Sequence, residues 1–122
     1  MGKTLQIRVS AWTFDPAEVE RRWPRLVALG FSPPVLLKQE RGVLELTDNL
    51  VDRHGMGVLP KNAQAALAEP VKRLGAARER LTAALAEWNA RAANTATDAI
   101  EEALDDAEQE ARKLSSVPGL DD

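Results

Sequence analysis

From Ala63 to Leu114 the chain keeps an unbroken helical period, and this stretch limits the possible folds more than any other. Counting from Leu67, apolar residues recur at Val71, Leu74, Leu81, Leu85, Trp88 and Ala92 in alternating steps of four and three, with Arg78 filling one step. Such a seam is the face that a helix turns toward a partner helix. After the polar run Asn94, Thr95, Ala96 and Thr97, a second seam follows at Ile100, Leu104, Ala107, Ala111 and Leu114. Asp98 is placed to cap that second arm, with Glu101 three residues on as a capping box requires. The short interruption predicts an antiparallel helical hairpin over 61–116, with its turn at 94–97 and a flexible tail over 117–122.

Charge favours the pairing. Residues 61–93 carry six basic side chains against three acidic ones, and residues 94–122 carry nine acidic against two basic, so +3 faces −7. Opposite fields on neighbouring helices set register more than they add stability. Glu101, Asp105 and Glu108 share one edge of the second arm, while Arg73 and Arg80 lie on the first. At 1.5 Å per residue an arm over 62–92 spans about 46 Å and one over 98–114 about 26 Å. The first arm therefore overhangs, and Leu67 and Val71 are expected to cover the preceding segment or a second copy of the chain. Pro70 should kink the long arm or mark a fresh start. Arg78, the charged seam position, is expected to run along the seam to Glu110.

The first sixty residues have a different pattern. Leu5, Ile7, Val9 and Ala11 alternate with polar residues, which predicts a strand, and Trp12 and Phe14 continue its formerly polar face with large aromatics, expected to be covered by the following helix or else to form an aromatic patch for a partner. Asp15-Pro16-Ala17-Glu18 predicts a helix start: a capping Asp, a proline in the first turn and a Glu behind it. Val19, Trp23 and Leu26 share a face, Pro24 should kink or divide the helix, and Gly30 should stop it. Val35–Lys38 and Val43–Thr47 flank Gln39-Glu40-Arg41-Gly42 like the strands of a hairpin. The expected fold class is therefore α+β, a small antiparallel sheet with one kinked helix (β-α-β-β) over 1–60, followed by the helical hairpin.

The content of 44% apolar and 29% charged residues, in a chain of 122, suits one packed domain. With no cysteine there is no disulfide, thiolate nucleophile or zinc–thiolate site. A net charge of −3 argues against a dedicated nucleic-acid binder. No apolar run reaches membrane-spanning length and no signal-peptide core opens the chain, so a cytoplasmic location is expected.

Asp48, Asp52 and His54 carry groups that a divalent metal could use, yet helix and turn chemistry accounts for them, so no metal or cofactor is assigned. His54 is the sole histidine and no serine carries a nucleophile motif, which leaves enzymatic activity without support. The leading expectation is a non-enzymatic interaction or assembly module, associating with itself or another protein through Leu67, Val71, Leu74, Arg78, Leu81, Leu85 and Trp88. Two alternatives stand beside it. One is a nucleic-acid-linked regulator that uses Arg21, Arg22 and Arg25, or whose acidic arm mimics a phosphate track; the other is a small enzyme or metal-binding protein around His54.

Overall fold

The computed structural model describes residues 11, 13, 15–31 and 41–114. Among them lie six helices and no strand: α1 (Pro16–Arg22), α2 (Pro24–Gly30), α3 (Val43–Met56), α4 (Lys61–Ala66), α5 (Ala68–Ala86) and α6 (Ala90–Arg112). The α+β expectation is thereby overturned, because Val43–Thr47 forms the first turns of α3 and not a strand. Five residues cannot distinguish a period of two from one of 3.6. Continued through Leu50, the spacing of Leu46, Thr47 and Leu50 makes a single buried helical stripe. The strand expected from Leu5 to Ala11 lies outside the described residues except for Ala11, which is in no strand, and the strand expected at 35–38 and the aromatics Trp12 and Phe14 also lie outside them.

Local chemistry explains the first helix boundaries. The Asp15 carboxylate accepts from the Ala17 N–H at 3.1 Å, and Pro16 occupies the first turn, where no donor is needed. Pro24 drives Trp23 out of helical geometry (φ −129°, ψ 58°), dividing α1 from α2 where the sequence places the break. Gly57, at φ 70°, ends α3, with the Val58 N–H donating to the Arg53 carbonyl at 3.1 Å. At the junction of α4 and α5, Leu67 is fully buried and Pro70 is the third residue of α5. A continuous helix would need an N–H at position 70. A helix that restarts at Ala68 does not, because first-turn donors have no partner within the helix.

The hairpin is present, but its turn is elsewhere. α5 ends at Ala86, and the Asn89 side chain caps α6 by accepting from the Ala92 N–H at 3.0 Å. Asn94 to Thr97 are helical. Thr95 donates to the Arg91 carbonyl at 3.1 Å and Thr97 to the Asn94 carbonyl at 2.8 Å, so these hydroxyls are satisfied inside the helix. With arms of 19 and 23 residues the expected overhang disappears.

Val71, Leu74, Ala77 and Leu81 of α5 pack against the small face of α6 made by Ala96, Ile100, Ala103, Leu104, Ala107 and Ala111. α3 runs antiparallel along α5, with Val51 against Gly75 and Asp48 against Arg78. α2 lies on both α3 and α6 and completes the core with Trp23, Leu26, Leu29 and Phe31. A β-carbon on Gly30 would stand 2.8 Å from Leu46 Cδ1, so α2 approaches α3 closely at that point. No described helix is long and apolar enough to cross a membrane.

Candidate interaction surface at the hairpin turn

The predicted interaction seam divides by burial. Leu67, Leu74 and Leu81 are fully buried and Val71 nearly so, all within the chain's own core. Leu67 and Val71 therefore have no free surface. Leu85 is half-buried and Trp88 is 60% exposed. Arg78 reaches Asp48 of α3 at 3.0 Å and also donates to Thr82, whereas Glu110 pairs with Lys113. The step that Arg78 fills in the pattern is covered by its neighbour Ala77, which is fully buried.

The basic cluster and the acidic edge meet each other. Arg22 pairs with Glu101 at 2.5 Å and Asp105 at 2.9 Å, and its guanidinium lies 4.6 Å from the centre of the Trp23 ring. The Trp23 indole N–H donates to Asp105 at 2.8 Å. The Asp105 hydrogen bond is the main cause that raises the Arg22 pKa above its ordinary value. A raised cationic pKa stabilises at every pH below the ordinary arginine value and is lost only above it, so this pair carries no pH dependence near neutrality. Arg21 holds Asp15 and Glu18.

Glu108 makes the most buried of these contacts, its side chain being 3% exposed. One carboxylate oxygen accepts from the backbone N–H groups of Arg25 and Leu26 at 3.0 and 3.1 Å, and the other lies 3.5 Å from Arg25 and from Arg112. Trp23, at the N-cap of α2, provides no capping side chain, so Glu108 caps α2 from α6. Thr13 does the same for α3, its hydroxyl accepting from the Val43 N–H at 2.8 Å. Such partnerships give no local sequence signal.

The three metal candidates are held apart. Asp48 is paired with Arg78, and Asp52 is exposed. The His54 ring nitrogen Nε2 lies 2.9 Å from the Gln64 carbonyl, while the Gln64 side-chain amide donates to the His54 carbonyl at 2.6 Å. That reciprocal pair ties the end of α3 to α4. Among the described residues no three histidine or carboxylate side chains converge on a common point.

The turn between α5 and α6 has the unusual backbone. The Trp88 N–H donates to the Leu85 carbonyl at 3.2 Å and the Asn89 N–H to the Ala84 carbonyl at 2.9 Å, the two bonds of a Schellman ending. The residue between them must be left-handed, and the position is ordinarily glycine. Here it is Trp88, at φ 57°. A side chain held in that region costs about 1–2 kcal/mol. Two hollows flank the turn. One, of about 430 Å³, is lined by Leu81, Leu85, Trp88, Ala90 and Ala93. The other, of about 550 Å³, is lined by Arg80, Ala83, Glu87, Arg91, Ala92 and Ala99. Helical register puts them on opposite sides of the hairpin.

The sequence pattern points to Trp88 as a seam residue but gives no sign of its turn geometry, since no glycine marks the spot. No known family model, no curated protein and no solved structure matches this chain.

Proposed function

We propose that this chain is a non-enzymatic protein-interaction module that docks a partner protein through Trp88 and the apolar hollow beside it. One observation carries the reading: a large aromatic, 60% exposed, occupies a left-handed position where glycine would be conformationally cheaper. Strained backbone concentrates at functional sites. Tryptophan is also the residue most enriched among those that dominate binding energy, because it buries a large rigid surface at low entropic cost. Leu85, Ala90 and Ala93 offer an apolar floor next to the ring. The other two candidate arrangements have less to offer a ligand, since the arginines of α1–α2 are engaged by carboxylates and His54 by Gln64. A cytoplasmic setting accompanies this proposal, in keeping with no described helix being long and apolar enough to cross a membrane.

The test places a photoreactive amino acid at position 88 in cells that make the protein, with position 58 as control because Val58 is also exposed, at 62%. A protein trapped from position 88 and not from 58 is then purified and titrated. Trp88→Gly should weaken its binding by roughly thirtyfold, the size of a 2 kcal/mol contact, without loss of thermal stability. Equal trapping from both positions, or unchanged affinity of the glycine variant, would refute the proposal.

A further inference from the structure

The opposite side of the hairpin carries a separate pattern. Every described arginine except Arg80 and Arg91 hydrogen-bonds to or ion-pairs with a carboxylate or a carbonyl. Arg80 and Arg91 engage no described group, and both line the alanine-walled hollow of about 550 Å³. Along the outer face of α6, Arg91 is followed by Thr95, Asp98 and Glu102, all exposed. Neither Asp98 nor Glu102 has an ion pair among the described residues. The face therefore starts basic, ends acidic, and has small residues at Ala92, Ala96 and Ala99 bordering its middle.

We infer that this face binds the same face of a second copy, with the two α6 helices antiparallel about a two-fold axis. A two-fold contact must be self-complementary, each residue meeting its counterpart's partner twice. In one antiparallel register Arg91 stands opposite the partner's Glu102 while Thr95 stands opposite the partner's Asp98, and Arg80 flanks the latter contact. Spacing is satisfied automatically, because the roughly 16 Å between residues 91 and 102 is the same on both copies. The half-buried Ala92 and Ala99 allow the helices to approach closely, as small residues do at helix contacts. A second copy carries the complementary charges already; a different partner would have to supply them. This contact uses none of the Trp88 side of the hairpin and stands independently of the function proposed above.

Sedimentation equilibrium on the full chain tests it, from micromolar to several hundred micromolar. A monomer–dimer equilibrium is expected. Arg91→Glu and Glu102→Arg should each weaken it by roughly tenfold, since two repulsive pairs form per dimer. The double variant Arg91→Glu/Glu102→Arg should restore it, and Trp88→Gly should leave it unchanged. A monomer at every concentration, or a double variant as weak as the single ones, would overturn the inference. A monomer that still binds a partner through Trp88 would overturn it alone and leave the docking proposal standing.

Discussion

Replacing Glu108 by alanine is the most direct measure of how α2 is held. The substitution removes the acceptor for two backbone donors, those of Arg25 and Leu26, one of them fully buried. Loss of a helix cap costs about 1 kcal/mol, and a charge-assisted hydrogen bond from a buried group adds about 1.5–3 kcal/mol. The ion pairs contribute little, because Arg25 and Arg112 are 30% and 57% exposed and solvent screens them. The expected total is about 3 kcal/mol. Over 122 residues, the usual unfolding entropy per residue turns that into a fall in Tm of about 12 °C. Glu108→Gln keeps one carbonyl oxygen for the two donors but loses the charge and turns an amide NH2 toward Arg25 and Arg112, whose pairs are weak, so about a third of the effect should remain. Thermal unfolding by circular dichroism reads both values. Amide exchange at Leu26 supplies a local readout and should accelerate in the alanine variant. An alanine variant within about 2 °C of the parent, or a glutamine variant as damaged as alanine, would refute the capping argument.

Three further outcomes follow from the same geometry. Trp88→Gly should leave the fold as stable or raise its stability by up to about 1 kcal/mol through relief of the left-handed strain, and a loss above that size in urea unfolding would show that the ring supports the fold. Gly30→Ala should cost about 1–2 kcal/mol, although alanine is the better helix former, because the new methyl meets Leu46 in a site where Leu46 is fully buried. A more stable alanine variant in the same assay would show that α2 can move away from α3. Leu81→Ala should cost about 2–5 kcal/mol, since Leu81 is fully buried between α5 and α6, and a Tm within about 2 °C of the parent would contradict that burial.

What could be read from the chain follows a physical divide between local and distant partners. The Asp15-Pro16 start, the break at Pro24, the stop at Gly30 and the antiparallel pairing of two helical arms are properties of neighbouring residues, and each is present in the structure. The turn was out of reach because Trp88 stands where glycine would have announced it, while Asn94 to Thr97 look like a loop until their hydroxyls find carbonyls inside α6. The residues 43–47 were ambiguous for a related reason. The start of α3 is a glycine without a capping side chain, and its first donor is answered by Thr13, thirty residues upstream. The same holds for the charges. The acidic edge of the second arm is visible in the pattern, yet its use by Arg22, Trp23 and the start of α2 depends on contacts some eighty positions apart.

That remote capping of α2 also bears on how the chain reaches its folded state. α5 and α6 are joined by a three-residue turn, so their pairing demands little loop closure and can proceed within the microsecond range of helical elements. The N-terminus of α2 has no acceptor until Glu108 arrives on an assembled α6, which ranks α1–α2 as a late-docking layer on a prebuilt helical pair. In native-state exchange, amides of α2 should open at lower free energy than those of α5, and weakening Glu108 should widen that gap.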